Sequence, residues 1–339
     1  MSPAPTSRSF FHRHWRRLTL LTALATTLTV CGIVLWSGWK LASPTRRPLQ
    51  DYHREYLAHS AAHGLKIEPF TTADGTPCLA CTPDPTGHLG ERGTKIRNQL
   101  ATRGFALRSP GQIVGTLVLL HGRNGRKEDY LPIAERFCAA GFRCLIPDLP
   151  AHGEHPTATT TYGVREAGLP ARVLAEASLK FAFDPQPAGL MGMSMGGSVA
   201  VHAAALPDAP WRALVVISSF DSLPAVMTGQ ATRRAGRLLG PPWAAAAAAV
   251  FRLRTGLSVD AIRPDRQAAA IRIPTFIAHG TADSIVPHDS GRSLFDSLPP
   301  ATTKQWTEVP GADHHNVFIT DFPIYADTAA WLLTHLAAL

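Results

Sequence analysis

Short apolar runs closed by glycine, proline or polar residues recur along the last two-thirds of this chain: Thr116–Leu120, Ala188–Met193, Ala213–Ile217 and Ile273–Ala278. Runs this short predict strands buried on both faces, the pattern of a mainly parallel sheet covered by helices on each side. Lys304–Val309 alternates polar and apolar positions and predicts a further strand. Behind Met193 the pattern changes to small residues, Gly196–Ala205, which predict a closely packed helix. Trp243–Phe251 is rich in alanine and predicts another. Cys78 and Cys81 fall in an early strand pair. Residues 84–110, rich in glycine and arginine, read as an insertion between that pair and the central strands. No internal repeat or low-complexity linker is present.

The N-terminal region follows a different rule. Leu18–Trp39 is mostly apolar and free of charge, and its length suits a bilayer-spanning helix. Arg8, Arg13, Arg16 and Arg17 precede it and Lys40, Arg46 and Arg47 follow, so the positive-inside bias is slight. Trp36 and Trp39 suit an interfacial aromatic belt. Lys40-Leu-Ala42 is a poor cleavage site, and the run is long for a signal core. The expected organisation is a basic cytoplasmic tail (1–17), a single-pass transmembrane signal anchor (18–39), a tether (40–60) and one large domain outside the cytoplasm (61–339). A cleaved export signal is the alternative reading.

Charge narrows the partners. The net charge of +8 suggests nucleic acid, but residues 1–47 hold seven of the 33 Lys and Arg and no acidic residue. The rest of the chain is nearly balanced, 26 basic against 25 acidic residues. A general polyanion-binding role is therefore excluded. One local excess remains: Arg233, Arg234, Arg237, Arg252 and Arg254 lie between Asp221 and Asp260 with no carboxylate among them. They form either a solvated face or a contact with anionic headgroups or an acidic substrate. The five cysteines specify no disulfide, although Cys78 with Cys81, or Cys138 with Cys144, is spaced for one. His152 and His155 are spaced suggestively, but nothing completes a ligand set, so neither metal nor cofactor is expected.

The chemistry sits where strand meets helix. Gly192-Met-Ser194-Met-Gly196 places a serine on the sharp turn between the Ala188–Met193 strand and the small-residue helix. There only glycine fits the positions two before and two after. The turn sets the Met195 backbone N–H at a helix N-terminus, able to hold a developing oxyanion. The loop after the strand ending at Leu120 is placed to supply a second donor, the backbone N–H of Arg123. A serine hydroxyl is a poor nucleophile until an imidazole accepts its proton, and that imidazole needs a carboxylate to fix its tautomer. Asp283 follows the Ile273–Ala278 strand, and His314 and His315 follow the Lys304–Val309 strand. Asp221, after the Ala213–Ile217 strand, is a second candidate for the acid. His121, inside a strand-end turn, reads as structural.

Five segments taken together make the chain similar to the α/β-hydrolase-fold serine hydrolases, from about residue 60 to the C-terminus. They are Leu120-His-Gly122, Cys144-Leu-Ile-Pro-Asp148 with His152-Gly153, Gly192-x-Ser-x-Gly196, His279-Gly-x-x-Asp283 with Val286-Pro287, and Gly311-Ala-Asp-His314. The resemblance implies an α/β-hydrolase fold with a small cap insertion, placed here at 221–270. It selects His314 over His315 as base, favours Asp283 over Asp221 as acid, and makes Asp148 structural. It also implies hydrolysis of a small-molecule or lipid acyl ester through an acyl-enzyme, with peptidase, thioesterase or acyltransferase chemistry as the first alternative and a noncatalytic binding module on the same fold as the second. Two departures stand out. Arg123 occupies a position where many relatives have a small residue, and Ala151 and His155 replace the usual Gly and Ser of the following loop.

Overall fold

A computed structural model of the chain describes residues 7–318 and 323–336, residues 7–13 by backbone only. Residues 1–6, the start of the basic tail, lie outside the described part. The elements in order are α1 (Ser7–Ala42), α2 (Asp51–Ala58), β1 (Leu65–Thr71), β2 (Pro77–Pro83), α3 (Glu91–Thr102), β3 (Gly115–Leu120), α4 (Leu131–Ala139), β4 (Phe142–Pro147) and α5 (Leu169–Lys180). Then come β5 (Ala188–Met193), α6 (Met195–Ala204), β6 (Ala213–Ile217), α7 (Leu223–Thr255), α8 (Pro264–Ala268), β7 (Thr275–Gly280), α9 (His288–Asp296), β8 (Lys304–Val309) and α10 (Ile324–Leu336).

The eight strands form one sheet in the order β1-β2-β4-β3-β5-β6-β7-β8. Strands β4 to β8 and β3 run parallel, while β1 pairs antiparallel with β2 and β2 with β4. Alternation along each strand divides the core in two. Val118 and Leu120 of β3 join the apolar layer under α5 and α6; Leu117 and Leu119 join the layer under α3, α4 and α10. This is the α/β-hydrolase fold, with helices on both faces of a mostly parallel sheet. In such sheets side chains at the C-terminal strand ends converge on one rim.

The segment between β6 and β7 is mainly α7, broken at Gly236, whose φ of +76° and ψ of 170° are non-helical. The break makes room for Pro241 and Pro242, which follow close after it, where few backbone donors have intrahelical partners. The second half of α7 packs on the end of α1. A Cβ at Gly38 would lie 2.5 Å from the Val250 Cβ, so glycine permits the close helix approach. Trp243 donates its indole N–H to the Ser37 hydroxyl at 3.0 Å, and the Arg254 guanidinium lies 3.5 Å above the Trp39 ring. Upstream of this contact α1 is solvent-exposed from His14 onward. His14–Ala42 is long and apolar enough to cross a membrane, with a mean hydropathy of 2.1 in its most apolar window.

Candidate active site

Strand β5 delivers Ser194 to the rim in a backbone conformation, φ +54° and ψ −119°, that side chains other than glycine rarely hold. Packing enforces the turn. The Ser194 N–H donates to the Ile217 carbonyl at 2.9 Å, and the Ser219 hydroxyl donates to the Ser194 carbonyl at 2.8 Å. A Cβ at Gly192 would overlap the Gly196 carbonyl, and one at Gly196 would overlap the Leu120 carbonyl. Backbone cannot move aside as a flexible side chain can. Gly196→Ala is therefore expected to destabilise the fold by about 3 kcal/mol or more, read as a lower urea midpoint. An unchanged midpoint would show that the elbow relaxes.

The loops after β7 and β8 bring the predicted partners to this serine. His314 Nε2 lies 3.0 Å from Ser194 Oγ, and His314 Nδ1 lies 2.7 Å from Asp283 Oδ2. Asp283 Oδ1 accepts the N–H groups of Ile285 and Val286 at 2.9 and 2.8 Å, so the carboxylate is held on both oxygens. Burial pushes the Asp283 carboxyl up, but hydrogen bonds from His279 and His314 outweigh this and hold it well below the usual carboxylate range. His315 is exposed, with its ring near that of His314 but no contact to Ser194. Asp221 accepts the Ser290 hydroxyl at 2.8 Å and stands outside this chain of contacts.

Residues 117–326 match the model of the alpha/beta hydrolase family, well over half of the chain. The chain belongs to the α/β hydrolase family. No curated protein sequence matches it. Among solved structures, the Pyrococcus furiosus esterase Pf2001 is similar with a TM-score of 0.59 at 17% identity, over 87% of this chain and 99% of its own. A putative lipase from Acinetobacter baumannii AYE has a TM-score of 0.55 at 16% identity, over 86% and 98%. A membrane phospholipase A, described as a bacterial virulence factor, has a TM-score of 0.52 at 15% identity, over 96% of this chain and 100% of its own. At these identities the likeness is one of fold.

Within this hydrolase the loop after β3 explains the Arg123 departure. The Arg123 guanidinium donates to the Lys40 carbonyl at 2.7 Å. Helix ends leave their last carbonyls without intrahelical partners, and three successive carbonyls at the end of α1 are satisfied by the domain. Lys40 O takes Arg123, Leu41 O takes the Tyr162 hydroxyl at 3.0 Å, and Ala42 O takes the Thr160 N–H at 2.9 Å. The strap that follows also binds the 123–126 loop. Thr45 N–H donates to Asn124 Oδ1, Arg47 Nε to the Asn124 carbonyl, and Arg126 Nη1 to the Arg47 carbonyl, at 3.2, 2.7 and 2.9 Å. The backbone N–H of Arg123 itself donates no hydrogen bond among the described residues.

The end of the apolar helix thus holds the very loop expected to supply an oxyanion donor. A protein beginning at Pro48 is expected to lose about 10²-fold in kcat/KM on a short nitrophenyl ester, the usual cost of one misplaced oxyanion donor. Activity equal to the full chain would show that the loop holds its shape alone.

His121 is fully buried, with Nε2 accepting the Leu149 N–H and Nδ1 donating to the Gly122 carbonyl; burial pushes its imidazole down. Asp148 is buried under Lys127, which reaches it through both Nζ and its backbone N–H at 2.9 and 2.8 Å. All five cysteines are free thiols, four of them buried in the core. His152 and His155 meet backbone and hydroxyl groups, and among the described residues no three His, Cys, Asp or Glu side chains gather as a metal site.

Ser194, Met195, Arg123, His314 and His315 line one cavity of about 1100 Å³. Its walls include residues that strand-and-motif reading missed: Trp36, Lys40 and Leu41 from α1, and Arg92 from α3 within the 84–110 insertion. Nothing in the sequence marks them beyond the basic and aromatic flank of an apolar run.

Proposed function

We propose that this hydrolase cleaves carboxylic esters through an acyl-enzyme formed on Ser194. The observation that carries this reading is the unbroken path Asp283 Oδ2, His314 Nδ1, His314 Nε2, Ser194 Oγ, with steps of 2.7 and 3.0 Å, opening into the cavity. Ser194 Oγ attacks the acyl carbonyl as its proton passes to His314 Nε2. Asp283 keeps the other imidazole proton on Nδ1 and stabilises the imidazolium. Backbone N–H groups of Met195 and Arg123 hold the oxyanion. His314 then returns its proton to the departing alcohol. Water, giving its proton to the same nitrogen, attacks the acyl-enzyme and releases the acid and Ser194. Similarity to esterases, a lipase and a membrane phospholipase A supports esters over amides as substrates.

In this reading α1 is an uncleaved membrane anchor and the catalytic domain lies outside the cytoplasm. Support for the anchor comes from the exposed apolar face of α1 and from the domain contacts at its end, which a cleaved signal would forfeit. The test is hydrolysis of nitrophenyl esters of graded chain length by the full chain in uncharged detergent, beside labelling by a serine-reactive phosphonate. Labelling without ester turnover would move the reading to thioesters or amides. Absence of both would leave a binding module on a hydrolase fold.

A further inference from the structure

The cavity is far more positive than the nearly balanced part of the chain beyond residue 47. Beyond residue 47 basic and acidic residues nearly balance, 26 against 25, yet that part sends Arg92, Arg123, Arg136 and Arg234 to the cavity walls against one carboxylate, Asp129, and the preceding segment adds Lys40 and Arg47. Asp129 is already engaged by Arg47 at 2.6 Å, and Arg92 lies 3.6 Å from the buried Glu135. Lys40, Arg123, Arg136 and Arg234 have no carboxylate partner among the described residues: Lys40 reaches the Thr45 hydroxyl, Arg123 the Lys40 carbonyl, and Arg136 the Pro132 carbonyl and the Tyr325 ring. Unneutralised cations in a concave, partly apolar site concentrate anions there.

The same cavity has an apolar wall built from α1 and α7. Trp36 and Leu41 of α1 line it with Val226, Met227, Trp243 and Ala247 of α7. Trp36 belongs both to this wall and to the apolar run of α1, and is 63% exposed. Leu238, Leu239 and Leu253 of α7 are also strongly exposed. A site whose wall is the end of a membrane-crossing helix opens at the depth of lipid headgroups.

We propose that the substrate is an anionic amphiphile drawn from the bilayer surface: an acyl ester whose chain lies on the α1–α7 wall while a phosphate-like group meets the cavity cations. This rests on the ester-hydrolase reading and names its substrate class. Arginine suits such a group because its planar fork pairs two oxygens at once.

The experiment compares two single-chain esters that differ only by a phosphate, dodecanoylglycerol 3-phosphate and dodecanoylglycerol, with the full chain in uncharged detergent. A parallel arm uses phosphatidylglycerol and phosphatidylcholine vesicles. A catalysis-free arm measures binding of dodecyl phosphate and dodecyl maltoside to the Ser194→Ala protein, through the fluorescence of its tryptophans. Expected are kcat/KM and affinity about tenfold higher for the anionic member of each pair, with the ratio falling as salt rises. The ratio should also fall in Arg136→Gln with Arg234→Gln. Lys40→Gln is the second variant if that pair fails to fold.

Equal turnover and equal binding of both members would overturn the proposal while leaving ester hydrolysis standing. Selective binding of dodecyl phosphate without turnover of any ester would sink the ester reading and keep the anion site. Preference for the monomeric phosphate ester but not for phosphatidylglycerol vesicles would overturn the bilayer as the source.

Discussion

Ser194→Ala is expected to lower kcat on a short nitrophenyl ester by roughly 10⁴–10⁶-fold while leaving the urea midpoint nearly unchanged. The size follows from what the substitution removes. The hydroxyl is the atom that forms the covalent bond, and no other hydroxyl or thiol among the described residues contacts His314 Nε2. What survives is the contribution of the oxyanion donors and of substrate positioning, because the Met195 and Arg123 amides belong to the backbone. Stability should hold because the elbow is fixed by Ser194 N–H to Ile217 O and by Ser219 to Ser194 O, which alanine retains. Residual activity above about one part in a hundred would point to a different nucleophile. A collapsed midpoint would instead mean that the hydroxyl supports the strained turn.

The parts of this site that sequence made legible are those whose signal is local. Thr116–Leu120 and Ala188–Met193 are buried on both faces, so they lack the alternation of a half-exposed strand and stand out as apolar runs. Gly192 and Gly196 are required by backbone collisions that any residue with a Cβ would suffer, so the elbow is written in five consecutive residues. The choice between His314 and His315 is different. Neighbouring residues have the same chemistry and the same chain order, and only the path of the loop after β8 turns one toward Ser194 and the other to solvent.

The cavity's outer wall was not legible at all. Lys40 and Arg123 are 83 residues apart, and their bond ends on a backbone carbonyl, which every residue possesses and no side-chain pattern announces. The same holds for Leu41 and Ala42, whose carbonyls accept from Tyr162 and Thr160. Arg92 reaches the cavity only because α3 crosses beside α4, a packing relation the glycine- and arginine-rich composition of 84–110 does not encode. Charge told the truth only locally: the near-balance beyond residue 47 hid four arginines, Arg92, Arg123, Arg136 and Arg234, that converge with Lys40 and Arg47 on one cavity.

Asp283→Asn should cost about 10⁴ in kcat, nearly as much as losing the nucleophile, although the side chain never touches the substrate. The carboxylate accepts from His314 Nδ1, so the proton stays there and Nε2 is left free to take the one from Ser194. An amide in its place can donate to Nδ1, which puts the imidazole proton on Nε2 and leaves no lone pair facing Ser194 Oγ. The same variant has a stability signature with a definite sign. The folded Asp283 carboxyl is held well below its ordinary value, since its hydrogen bonds with His279 and His314 outweigh the upward push of burial. A depressed carboxylate contributes stability that is fully present above the unfolded value near ~4 and is lost as pH falls through the folded one. Between pH 6 and pH 3 the urea midpoint of the native protein should therefore fall more steeply than that of Asp283→Asn. Parallel curves would show that the Asp283–His314 contact adds nothing to folding, and a variant with near-native kcat would show that another group fixes the tautomer of His314.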